Sequence, residues 1–197
     1  MGDARRDVRH GLQGDTMHVV RWQEQGAHGL EHLVMDWRHD GVHVDSVIVG
    51  QRFGALYGLT YRIECDPHWA TRTVTLSLAG GSSLLLRSNG AGRWHDGLGR
   101  PLDALDGCFD IDIAATPFTH TLPLQRLKLA DGARQFVRVV HVSVPDLELR
   151  AVEYAYTCIS AGSEYTCEGA FRDSGVTLKV DQDGIVLDYP PLFKRTR

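Results

Sequence analysis

A two-residue hydrophobic period, cut at short intervals by glycine turns, constrains this chain more than any other feature. Tyr57, Leu59, Tyr61, Ile63 and Cys65 alternate with Gly58, Thr60, Arg62 and Glu64, as in a strand with one buried face. Val74, Leu76 and Leu78 alternate with Thr73, Thr75 and Ser77. Phe136, Val140, Val142 and Val144 share a face, as do Val152, Tyr154, Tyr156 and Cys158, then Val176, Leu178 and Val180, then Ile185, Leu187 and Tyr189. Asp40-Gly41, Asp66-Pro67, Gly80-Gly81, Asn89-Gly90, Asp131-Gly132, Ala161-Gly162 and Asp183-Gly184 separate the runs. Asn-Gly and Asp-Gly readily take the positive φ angles that tight hairpins need. Short strands at this spacing predict an all-β sandwich, roll or barrel.

Helical segments fit poorly. Gly26 and Gly29 interrupt residues 23–37, each costing about 1 kcal/mol relative to alanine inside a helix. Residues 119–130 admit one short helical turn after Pro117, limited by Pro123. With no linker, low-complexity tract or repeat, residues 16–197 read as one β domain and residues 1–15 as a disordered or appended tail. The 197 residues suffice for a substantial core.

Charge and composition exclude several function classes. A net charge of −4 gives no reason to expect a nucleic-acid partner. No 18-residue apolar run is present to span a membrane. Met1–Gln13 lacks the apolar stretch of a secretory signal. Cys65, Cys108, Cys158 and Cys167 form no CxxC pair, which fits reduced, partly buried thiols in a cytoplasmic protein.

Residues 105–127 carry the densest chemistry. Asp110 and Asp112 stand two apart in an apolar strand, so both carboxylates point one way while Phe109, Ile111 and Ile113 point the other. Two readings follow. Asp103, Asp106, Asp110 and Asp112 offer oxygen ligands suited to Mg²⁺, Ca²⁺ or Mn²⁺, as in a metal-dependent hydrolase of a small phosphorylated or glycosylated molecule. Alternatively, Asp110 and Asp112 pair with arginines such as Arg126, or accept hydrogen bonds from turn amides. Because an unpaired buried carboxylate costs several kcal/mol, and no phosphate-binding loop accompanies the acids, the structural pairing is preferred. No metal or other cofactor is expected.

Other motifs are weaker. His28-Gly-Leu-Glu-His32 spells HxxEH, but the zinc chemistry of that motif needs both histidines on one helical turn. The alternation of Leu33, Met35 and Trp37 predicts a strand, which would hold the two rings roughly 13 Å apart at ~3.3 Å per residue. Asn89-Gly-Ala-Gly-Arg-Trp94 lacks a Walker lysine and reads as a hairpin loop. No GxSxG elbow is present.

Several of these blocks together resemble a bacterial family known as "putative glycolipid-binding" proteins. The likeness lies in Gly29-Leu-Glu-His32, in Tyr61 to Trp69 with Arg72, and in Gly90-Ala-Gly-Arg-Trp94. It is densest in Leu105-Asp-Gly-Cys-Phe-Asp-Ile-Asp112 and Thr116-Pro-Phe-Thr-His-Thr-Leu-Pro123, and closes with Val180-Asp181, Gly184 and Tyr189-Pro190. His120 stands where the family is expected to carry Asn. The resemblance implies a spiral β-roll, an incomplete barrel of many antiparallel strands around a long hydrophobic channel. That architecture is similar to the exported lipoprotein and lipid carriers of bacterial envelopes, though this chain shows no export signal. The expectation is a non-enzymatic binding protein for an amphipathic ligand, a glycolipid or fatty-acyl compound. Trp94, Asp110, Asp112 and Arg126 are the candidate polar groups near its mouth.

Overall fold

The structure, a computed structural model, describes residues 16–26, 28–169 and 175–196. The tail expected over residues 1–15 lies outside these. Seven strands form a first meander: β1 (Thr16–Glu24), β2 (Leu30–Arg38), β3 (Gly41–Arg52), β4 (Ala55–Cys65), β5 (Thr71–Leu78), β6 (Ser83–Ser88) and β7 (Trp94–Asp96). A crossing segment follows, carrying β8 (Asp110–Ile113), a 3-10 turn at Phe118–His120 and the helix α1 (Thr121–Leu127). The second meander comprises β9 (Arg134–Val142), β10 (Leu149–Ser160), β11 (Glu164–Gly169), β12 (Val176–Val180), β13 (Val186–Tyr189) and β14 (Phe193–Thr196).

All fourteen strands join one sheet in the order β7-β6-β5-β4-β3-β2-β1-β14-β13-β12-β11-β10-β9-β8. Neighbours are antiparallel, except that β8 runs parallel to β9. The β1–β14 pairing welds the two meanders, and the sheet curls without closing, leaving β7 and β8 as its edges. The fold is all-β, as the two-residue period predicts.

Alternation decides what faces inward. On β4, Leu59, Tyr61, Ile63 and Cys65 are buried, and on β5 the buried Val74 and Leu76 pair with Ile63 and Tyr61. Thr73, Thr75 and Ser77 lie on the opposite, partly exposed face. Each fully buried large side chain contributes about 1.5–3 kcal/mol over an exposed one. The Asn89–Arg93 segment is a hairpin loop between β6 and β7, as expected, closed by the Asn89 side chain accepting from the Ala91 and Arg93 amides.

The buried residues form two clusters, and β8 with the adjoining part of β9 lies between them. Ile111, Ile113, Val140 and Val142 pack into the cluster built largely on the first meander. Val137 and Val139 pack into the second, with Tyr154, Tyr156, Tyr165 and Leu178. Every residue of β8 is therefore buried.

Two local expectations change. Phe136 has the phase of Val140 and Val142 but is 58% exposed, because it precedes the part of β9 buried on both faces; Arg134 sits over its ring. Pro123 does not break the helix. It is the third residue of α1, within the first turn, where backbone N–H groups have no intrahelical acceptor to lose. The helix ends at Lys128, whose left-handed conformation lets its N–H reach Leu124 O at 3.1 Å.

Candidate functional site

Parallel pairing of β8 with β9 sets Asp112 beside His141. His141 Nδ1 donates to Asp112 Oδ2 at 2.9 Å, and the Tyr154 hydroxyl donates to the same oxygen at 2.7 Å. Thr119, on the 3-10 turn, donates to Oδ1 at 3.1 Å. Burial pushes the Asp112 carboxyl up, but the His141 bond, the nearby His120 and His141 charges and the Tyr154 bond outweigh it and hold the pKa at about 2. Burial and Asp112 push the Tyr154 phenol well up, so it remains a donor. His120 stacks on Tyr189 at 4.7 Å between centroids, and its Nδ1 lies 2.8 Å from the Tyr156 hydroxyl.

Asp112, His120, His141, Tyr154 and Tyr189 line a cavity of about 450 Å³, within the size range of small-molecule sites. Ile113, Val144, Val176, Leu192 and Phe193 supply apolar surface, while Asp112, Thr116, His120, His141 and Tyr154 supply polar surface. Exposed Phe53, Asp146, Glu148 and Arg150 stand at the rim. Phe53 and Gly54 form the two-residue β3–β4 turn, both with positive φ (49° and 82°), between the paired Arg52 and Ala55. That is the turn geometry suited to twisted strands, and it leaves Phe53 95% exposed.

A second polar group lies behind Thr116. Glu31 shares the inward phase of Leu33 and Met35 on β2 and is buried. Its Oε1 accepts from the Tyr61 hydroxyl at 2.6 Å and from Ser46 at 2.8 Å; Oε2 has no hydrogen-bond partner among the described residues. Burial pushes its pKa to about 7 against the hydrogen bonds from Thr116, Tyr61 and Ser46. HxxEH is thus no helical metal motif. Glu31 and His32 are strand residues with opposite orientations, and His32 Nδ1 accepts from Arg21.

The four residues singled out from sequence are distributed as follows. Asp112 lines the cavity; Trp94, Asp110 and Arg126 do not. Arg126 binds Asp110 bidentately, at 2.6 and 3.1 Å, with the aspartate wholly buried. Burial raises the Asp110 pKa, with Arg126 working against it. Trp94 is buried and gives its ring N–H to Cys108 O at 2.7 Å. Asp106 pairs with Arg93. Asp110 and Asp112 therefore have separate partners and do not converge on one point. His18, Asp181 and Asp183 have ligand atoms close enough to share an ion, but Asp181 already holds Arg195. None of the four cysteines forms a disulfide.

His141 and Tyr154 were not singled out as site residues, since only the β8–β9–β10 pairing brings them to Asp112. Glu31 had a usable signal: the alternation of Leu33, Met35 and Trp37 extends back to it.

A family model described as "Putative glycolipid-binding" matches residues 19–195. The chain belongs to this family. A DUF1089 family protein from Pseudomonas aeruginosa, known from its crystal structure, is 37% identical, with a TM-score of 0.75 over 84% of this chain and 92% of the other. No curated protein matches. Family membership supports a binding role, and among the described residues no helix is long and apolar enough to cross a membrane.

Proposed function

We propose that this family member is a non-enzymatic binding protein that takes an amphipathic molecule, a glycolipid or fatty-acyl compound, into the 450 Å³ cavity. One observation carries the reading: the cavity lining joins a fixed polar network to apolar side chains. Asp112 is immobilised by three donors, so hydroxyls of a ligand head group meet oriented acceptors and rings without reordering them. Ile113, Val144, Val176 and Phe193 receive the apolar part, at about 0.8 kcal/mol per buried CH₂. Of the residues singled out from sequence, Asp112 is assigned to ligand contact; Asp110, Arg126 and Trp94 are assigned to holding the wall.

Native mass spectrometry of protein purified from its own host tests this. The expected result is an adduct that is lost on denaturation. Bare protein, together with no thermal shift from any of a panel of lipids and detergents, overturns it.

A further inference from the structure

We infer that the ligand of this cavity carries an anionic group, a phosphate or carboxylate, which docks on Arg52 at the β3–β4 hairpin. The inference rests on the cavity being the ligand site and adds the charge class of what fills it.

Several arginines elsewhere are committed to carboxylates, while Arg21 and Arg138 donate to the His32 ring and to the Asp106 carbonyl. Arg62 holds Asp45, Arg72 holds Asp66, Arg126 holds Asp110 and Arg195 holds Asp181. At the cavity rim Arg150 is tied to Glu148 at 2.9 Å. Arg52 differs. It is half-buried and lines the cavity, yet among the described residues no carboxylate lies within ion-pair distance of it. Its Nε is buried without a hydrogen-bond partner. The Tyr57 hydroxyl is its hydrogen-bonding neighbour, and Glu24 acts on it only through longer-range attraction.

A partly desolvated guanidinium with no carboxylate partner and an unpartnered Nε leaves unmet the fork that binds carboxylate or phosphate through two parallel hydrogen bonds. Polar groups left unpaired in a cavity wall are what a bound ligand satisfies. The other cationic candidates there are engaged: His141 Nδ1 is spent on Asp112, and His120 Nδ1 on Tyr156. Phe53, next in sequence, also lines the cavity and offers it an apolar ring. An anion with an adjoining alkyl chain matches that pairing, whereas a neutral sugar offers the guanidinium hydroxyl acceptors but no counter-charge.

Three probes sharing one alkyl chain separate the possibilities: dodecyl phosphate, dodecanoate and dodecyl maltoside. Their dissociation constants are measured by titration calorimetry below their micelle concentrations, on the wild type, Arg52→Gln, Arg52→Lys and Arg62→Gln. The anionic probes are expected to bind about tenfold or more tighter than the maltoside, as charge-assisted bonds require. Arg52→Gln is expected to erase that preference while leaving maltoside affinity and melting temperature near wild type. Arg52→Lys should retain part of it, and Arg62→Gln all of it. Preference for dodecyl phosphate alone assigns a phosphate, and preference for both anions assigns the shared charge. Equal binding of all three, unaffected by Arg52→Gln, overturns the inference and leaves the cavity reading standing. Failure of all three to bind overturns both.

Discussion

Asp110 and Asp112 are two residues apart on one strand and do different work. Asp110 is sealed against Arg126, away from the cavity, so its removal strands a guanidinium that is only 20% exposed. Breaking one side of such a pair costs about 3 kcal/mol or more. Asp110→Ala is therefore expected to lower the urea midpoint by that equivalent while leaving ligand affinity, measured on the folded fraction, unchanged. A variant as stable as the parent would refute the structural role. This pairing was legible in the sequence, because Arg126 follows within the same crossing segment. The partners of Asp112 were not. His141 and Tyr154 lie 29 and 42 positions away, and no local pattern relates a residue to one two strands across a sheet. Arg52 was equally hidden, since a missing ion pair is a property of the folded surroundings and not of the residue.

At the scale of strands and turns, the sequence is far more readable, because burial on one face imposes a period of two and the turns that reverse the chain carry their own residue types. The alternating runs at Tyr57–Cys65 and Val152–Cys158 become β4 and β10 with the inward faces that the pattern dictates. The pattern weakens where both faces are buried, as in β8 and the second half of β9, since alternation then marks no solvent side. It also cannot tell which edges meet, so the β1–β14 pairing and the parallel β8–β9 pairing came only from the structure. Among the turns, Gly41 is the most constrained. It has a φ of +143°, and a Cβ there would lie 1.9 Å from the Cys65 carbonyl oxygen. Relief requires β3 and β4 to separate at Val42–Cys65, where both residues are core. Gly41→Ala is expected to destabilise by several kcal/mol, on the scale of a backbone clash at a special φ. Hydrogen exchange should show β3 and β4 losing protection first. Wild-type protection in that hairpin would refute the clash.

Across the whole molecule, two buried carboxylates set opposite limits on the pH range of stability. Asp112 has a folded pKa of about 2, below its unfolded value near 3.9. Its contribution is present above the unfolded value and is lost as pH falls through the folded one. Glu31 has the reverse shift, to about 7 from 4.5. Between those values the folded state binds the extra proton, so stability falls as pH rises from about 4.5 to 7 and stays low above that. The shift corresponds to about 3 kcal/mol, a large fraction of a typical domain's stability. Urea midpoints are therefore expected to be highest near pH 4–4.5, declining on both sides. Glu31→Gln keeps an oxygen to accept from Tyr61 and Ser46 but has no charge to bury. It is expected to match the parent near pH 4 and to exceed it at pH 8, flattening the alkaline decline while leaving the acid decline in place. If the parent and Glu31→Gln curves run parallel from pH 5 to 8, Glu31 is not the group that takes up the proton. The buried Tyr61–Glu31–Ser46 group would then stay ionised at a stability cost constant across that range.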